Sequence, residues 1–302
     1  MKCCPICSNS KPIVDRRLNK IKLVKCTKCE FVYADLPDET IVRENSSYSE
    51  NADYQYSIQQ TSLDKLWFKS IALKLVNASG TNKGKILDIG CGNGVFLASF
   101  PQNWDKFGLD VSPWSKKGAL QNRYHLIQKE LENAELPDNH FDIITSFSTF
   151  EHIPQPKKHL KEILRILKPG GIVYIGAVPN YGTISVLLNL SSFARNVPPE
   201  HCNFFTKKTL SYLLAMSGVD AELKYKKIRT YGIPEIHRIY RYINQKTSKN
   251  NKLALKNNGP CTAGQTKTRL GLSWLLSVYD ALPFPFFTGD KLELLAMKKD
   301  NK

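Results

Sequence analysis

The chain has 302 residues, with 43 Lys and Arg against 27 Asp and Glu and a formal net charge of +16. At about 100–200 residues per domain this allows roughly two domains and a sizeable core. The 42% hydrophobic, 10% aromatic and 23% charged fractions exclude a disordered tail, a collagen-like fibre and a coiled coil. No window reaches the roughly 18 uninterrupted apolar residues of a membrane span, and MKCCPIC has no apolar run behind a charged start. A cytoplasmic protein without a secretory signal is expected.

Five of the eight cysteines fall in the first 29 residues: Cys3, Cys4, Cys7, Cys26 and Cys29. Clustering without a secretion signal favours a metal over disulfides. CPIC and CTKC are two Cys-x2-Cys knuckles, and each aims two thiolates at one ion. Cys4, Cys7, Cys26 and Cys29 are therefore expected to make a closed, structural Cys4 zinc site in a ribbon over residues 1–40. Cys3 could replace Cys4, although Cys3-x3-Cys7 makes a poorer knuckle. A unit of about 40 residues buries too little apolar surface alone, so the metal would supply much of its folding free energy.

Leu63, Leu66, Trp67, Ile71 and Leu75 follow helical spacing and predict an amphipathic helix over 57–78. Strand-like runs follow at 85–90, 106–110, 141–147 and 171–178. A helix is predicted at 157–171, with Pro169 and Gly170 as its stop signals. Strands alternating with helices predict an α/β fold with a parallel, doubly wound sheet.

The stretch KILDIGCGNGVFL is the most informative. An apolar strand ends in Asp88, and Gly90, Gly92 and Gly94 then open a helix. The glycines let the backbone turn sharply and let a ligand approach closely. The acid stands two residues before the first glycine, which suits a ligand carrying an ammonium and a sulfonium better than a diphosphate. That charge pattern selects S-adenosylmethionine. Asp110 follows Asp88 by one strand–helix–strand step, which places its carboxylate for ribose hydroxyls.

With these residues in hand, 85–178 resembles the class I S-adenosylmethionine-dependent methyltransferases. KILDIGCGNG is similar to the family's first motif and GLD to its second. ENAELPDNHFDIITSFSTFEHI, ILKPGGIVYIGAVPN and HCNFFTKKTLSYLLAMSGVD match later motifs in order, the last resembling the small-molecule branch with its sugar and quinone methyltransferases. The Cys-x2-Cys ribbon in front resembles bacterial sugar methyltransferases. The resemblance implies a Rossmann-like, mostly parallel seven-stranded sheet whose antiparallel last strand is KLELLAMK. It also implies a core over 57–234 and 288–300.

Carried over by position, Asp88, Gly90 and Gly92 lie along the methionine moiety with Cys91 and Gly94 in the same loop, Cys91 as a small packing residue. Asp110 holds the ribose, Val111 packs on the adenine face, and Glu132 or Asn133 approaches the adenine amine. ENAELP is shorter than the family's usual stretch, so the choice between those two stays open.

Methyl transfer to a hydroxyl or enolisable carbon needs alignment and proton removal. His152, beside Glu151 after the fourth strand, and His201 in VPPEHCNFF are the candidate bases. The readings open for Glu151–His152 include a loop brace and a metal ligand, and for His201 a packing role. His125, His140, His159 and His237 read as surface or core residues. Residues 182–205 and 235–287 read as an acceptor-side lid and insertion, with a mobile loop at 244–268.

Residues 206–256 carry 12 Lys or Arg against 3 Asp or Glu, and the first 30 residues 8 against 2. Such faces suit phosphates in RNA, a nucleotide sugar, a lipid-linked acceptor or a membrane, or simply solvent. The leading expectation is O- or C-methylation of a small-molecule or glycan acceptor, a saccharide intermediate in particular. The runner-up is an RNA methyltransferase that uses ribbon and basic surface. No Asn/Asp-Pro-Pro-aromatic tetrapeptide follows the fourth strand, and Val197-Pro198-Pro199 lies too late to serve. A non-enzymatic adaptor conflicts with the intact Asp88, glycine and Asp110 set.

Overall fold

The computed structural model describes residues 1–18, 20–43, 62–113, 115–183, 186, 198–234 and 289–300. The expected insertion at 235–287, most of the lid at 182–205, His237, Cys261 and residues 57–61 of the first helix lie outside them. Among the described residues no helix is long and apolar enough to cross a membrane.

The chain begins with a hairpin of β1 (Pro12–Leu18) and β2 (Ile21–Cys26), followed by β3 (Val32–Ala34). Helix α1 (Ser62–Ser79) leads into β4 (Gly84–Ile89), α2 (Val95–Ala98), β5 (Trp104–Leu109), α3 (Ser115–Asn122) and β6 (His125–Ile127). Then come β7 (Phe141–Phe147), α4 (Pro156–Ile166), β8 (Leu167–Pro179), β9 (Asn203–Phe204), α5 (Lys207–Ser217), β10 (Leu223–Pro234) and β11 (Gly289–Lys298). The main sheet has seven strands in the order β10-β11-β8-β7-β4-β5-β6. β4 runs parallel to β5 and β7, and β11 runs antiparallel to β8 and β10. This is the expected α/β, Rossmann-like, doubly wound sheet with an antiparallel last strand.

Side-chain alternation explains why both faces are covered. Ile86, Ile143 and Ile172 pack with Ile71 and Leu75 of α1, whereas Leu87, Ile144 and Val173 pack with α4 and α5. The central strands are therefore apolar on both sides and read as continuous hydrophobic runs. The chain leaves β6 at one edge and re-enters as β7 on the other side of β4. That reversal opens a crevice at the carboxyl end of β4, where ligands bind in such sheets.

Two details depart from the sequence reading. The helix predicted at 157–171 ends at Ile166, and β8 starts at once. Pro169 disfavours helical backbone at Lys168, and Gly170 takes a left-handed φ of 72°. Strand KLELLAMK is the expected antiparallel last strand, seated between β8 and β10. The rim strand β10 escapes recognition because Lys224, Lys226, Lys227 and Arg229 dilute its apolar alternation, as charges often do on exposed edges.

The N-terminal hairpin is not free-standing. β9 pairs antiparallel with β3, giving a second sheet in the order β1-β2-β3-β9. Phe31 lies 5.0 Å from the Phe205 ring, and Ile6, Val24, Phe31 and Tyr33 share one buried cluster with Phe205 and Leu210.

Gly94 holds the α2 entrance with φ 72°, and a Cβ there would stand 2.1 Å from the Tyr124 ring. Gly94→Ala should therefore lower stability by about 1–3 kcal/mol through strain and overpacking. Urea denaturation checks this, and an unchanged midpoint would contradict it.

Candidate active site

Cys4, Cys7, Cys26 and Cys29 converge, with their sulfurs within 4.8 Å of one another. Cys4–Cys29, Cys7–Cys26 and Cys7–Cys29 are 3.6, 3.5 and 3.7 Å apart. A tetrahedron with metal–sulfur bonds of about 2.3 Å places its sulfurs roughly 3.8 Å apart, so the donor set fits zinc. Burial raises the Cys26 thiol, but backbone N–H bonds from Cys29 and Lys28 and the Asn9 amide outweigh it and bring it down to about 6. Cys3 is exposed and outside the group.

At the carboxyl end of β4 a cleft of about 510 Å³ opens over the glycine loop. Gly90, Gly92 and Gly94 have φ of 73°, 55° and 72°. At Gly90 a Cβ would stand 2.2 Å from Thr149 Oγ1, so only glycine lets the loop lie against β7's end. The loop is pinned by Gly90 N–H to Leu109 O at 2.7 Å and Gly92 N–H to Asp110 Oδ2 at 2.8 Å.

Asp88 lines the cleft and is 3% exposed. Burial pushes its carboxyl up to about 7, the Thr145 hydroxyl donating at 2.7 Å opposes the rise, and the negative Asp110 adds to it. A cation placed here would favour the carboxylate. Asp110 accepts from Gly92, from Ser112 N–H at 2.8 Å and from the Ser112 hydroxyl. A carboxylate offers about four lone-pair sites, so one remains for a ligand hydroxyl. Val111 is 46% exposed within the cleft wall, an apolar face without a covering side chain. Cys91 borders the cleft and is buried, with its sulfur 3.8 Å from Tyr124 Oη.

Glu132 and Asn133 both line the far end. Glu132 Oε1 is 3.0 Å from Nδ1 of the buried His159. Burial raises the Glu132 carboxyl, but His159 more than compensates and holds it below the usual range. Asn133 is exposed, and its amide donates to Glu130 at 3.4 Å.

His152 lines the cleft, whereas Glu151 and His201 are not among its lining residues. The ligand atoms of these three lie within 4.8 Å of one another, and the two imidazoles meet edge-on at 4.7 Å. His152 Nδ1–H donates to Glu200 O at 2.8 Å, so a neutral ring carries its lone pair on Nε2. Burial lowers His152 to about 4 and raises Glu151 to about 8. At pH 7 the histidine is thus neutral and the carboxyl largely protonated. Oε2 of Glu151 has no hydrogen-bond partner among the described residues.

Sequence reading passed over Thr145, Thr149 and Asn203 and gave His159 no role here, yet all four shape this region. It also passed over Asp38 and Val42, which reach the cleft from the N-terminal segment. Gln155 Nε2 donates to Asp38 at 2.9 Å. Only Thr145 and Thr149 carry a local signal, as polar residues closing an apolar strand.

Comparison with known proteins bears on the same residues. A family model described as a methyltransferase domain matches residues 61–222, just over half of the chain. Ubiquinone biosynthesis O-methyltransferases of Yersinia pestis and Yersinia pseudotuberculosis are each 30% identical over 122 residues, which is 38% of this chain and 50% of theirs. The chain spans about half the length of these curated relatives. A SAM-dependent methyltransferase from Archaeoglobus fulgidus aligns with a TM-score of 0.52 and 18% identity, covering 82% of this chain and 100% of that one. Its likeness is one of fold. Taken with the family match, the motif order and the sheet place this chain within the class I S-adenosylmethionine-dependent methyltransferases.

Proposed function

We propose that the protein transfers a methyl group from S-adenosylmethionine to a small-molecule acceptor, with a hydroxyl of a saccharide intermediate as the leading candidate and carbon methylation as the other. The observation that carries this reading is one cleft lined by buried Asp88, the glycine loop and Asp110. The O-methyltransferase names of the curated relatives support a small acceptor. Basic residues of the N-terminal hairpin favour a second reading, an RNA acceptor. Their surplus also suits a phosphate-bearing small molecule.

In this reading Asp88 and the backbone of Gly90 and Gly92 hold the methionine portion, and Asp110 takes a ribose hydroxyl. Val111 covers one face of the adenine, while Glu132 or Asn133 meets its amine. When bound, S-adenosylmethionine supplies a methyl carbon made electrophilic by the sulfonium. His152 Nε2 removes the acceptor proton: burial keeps the ring neutral and ready to accept at pH 7, at the cost of a weaker base than a free imidazole. His201 orients that ring from the side. Glu151 does not line the cleft and acts through His152 instead of touching the acceptor. Cys4, Cys7, Cys26 and Cys29 hold a structural zinc ion whose closed coordination leaves no place for substrate.

Two outcomes follow. In the free protein the Asp88 carboxyl is protonated below about pH 7, and a bound cation selects its ionised form. Affinity for S-adenosylmethionine should thus rise with pH and be roughly eightfold weaker at pH 6 than at pH 7.5. Asp88→Asn should flatten the profile and weaken binding, as calorimetry can measure, and a flat profile in the parent would contradict the assignment. His152→Ala should reduce methyl transfer by about 100-fold or more with cofactor affinity within about twofold. Unchanged turnover would remove His152 from the chemistry.

A further inference from the structure

The N-terminal ribbon and the reacting histidines are joined through five residues, 200–204. On the ribbon side, Val32 and Tyr33 of β3 pair with Phe204 and Asn203 of β9. Ala34 N–H donates to Cys202 O at 2.9 Å. Strand β3 starts three residues after Cys29, and Cys26 N–H closes that knuckle onto Phe31 O at 2.8 Å. On the cleft side, Cys202 N–H donates to Glu151 O at 2.8 Å. The Asn203 amide donates to Phe150 O at 3.2 Å and to Ile153 O at 2.5 Å. Those two carbonyls bracket the short 3-10 turn Phe150–His152.

Asn203 is 3% exposed, and both of its amide hydrogens are used on this turn. A side-chain amide is the compact group that can donate twice from one nitrogen. Serine would give one such bond and alanine none, leaving Phe150 O with only the long 3.4 Å bond from Ile153 N–H and the half-buried Ile153 O without this donor. The same segment supplies Glu200 O to His152 Nδ1 and carries His201 against the ring. By contrast, the glycine loop is held by Leu109 and Asp110, with none of these bonds passing through the ribbon.

We infer that Asn203 is a positioning residue: through its two bonds to the 150–153 turn it sets the His152 ring, and the ribbon holds Asn203 by adding β9 to its sheet. The ribbon then serves the acceptor half of the site and leaves the cofactor half to the main sheet. This rests on the methyltransferase reading for its chemical consequence, but not for its geometry.

The test compares the full-length, zinc-loaded parent with Asn203→Ala and Asn203→Ser, using His152→Ala to assign the His152 signal. Histidine ring NMR titration, zinc content, calorimetry with S-adenosylmethionine, and methyl transfer from the radiolabelled cofactor to the small-molecule fraction of a cell extract are the readouts. In Asn203→Ala the His152 pKa, held at about 4, should rise by about one unit or more toward its ordinary value. Transfer should fall about 30-fold, while zinc stays at one ion per chain and cofactor affinity stays within about twofold. Asn203→Ser should fall between the two, and it decides the matter if the alanine variant fails to fold. Transfer that falls without a change in His152 titration, or titration that moves without a loss of transfer, would overturn the assignment. So would variants that match the parent in both. A parent that binds no S-adenosylmethionine would instead sink the methyltransferase reading, and the His152 titration would still judge the clamp.

Discussion

A carboxyl group withdrawn from water at the end of the central strand organises this molecule. Asp88 sits where the sheet reverses direction, boxed in by Thr145 from β7 and facing Asp110 at the end of β5. Burying an ionised acid without a partner is costly, so the empty-handed group shifts toward its neutral form. A cationic ligand reverses that preference. Glycines 90, 92 and 94 take left-handed turns that carry the chain over the end of the strand, and the Gly92 amide reaches Asp110. In the proposed reading, the cost of burying Asp88 would become selectivity for a positively charged ligand.

A second constraint comes from the other sheet. The ribbon hairpin is too small to hold a core alone, and it solves this by packing Phe31 and Tyr33 into the cluster that contains Phe205 and Leu210. Strand β9, only two residues long, is the seam. The two halves of the cleft are consequently held by different sheets. The glycine loop answers to β4, β5 and β7, and the His152 turn to β9 and through it to β3.

Much of the first half was legible in the sequence because its signals are local. Asp88, Gly90, Gly92, Gly94 and Asp110 lie within 23 residues of chain, and each reflects a turn or a charge requirement that neighbours in sequence already impose. The paired knuckles are local in the same way. The second half was not legible, because Asn203 meets Phe150 and Ile153 across 53 and 50 residues, and no periodicity encodes that. His159, read as a surface or core residue, is buried, and its partner Glu132 lies 27 residues away. Strand β10 was hidden by its lysines, and the end of α4 by a helical pattern that continues in Leu167 after the backbone has already turned extended. Periodicity reports which face is apolar and says little about where a hydrogen-bonded ladder takes over.

The central claim, methyl transfer to a small molecule, is tested most directly by supplying radiolabelled S-adenosylmethionine and the protein to an extract of the cells that make it. The extract is then separated into RNA, organic-soluble and small-molecule fractions. The account predicts protein-dependent label in the small-molecule or organic-soluble fraction, lost with His152→Ala. Label in RNA, or no transfer at all by a protein that binds the cofactor, would contradict it.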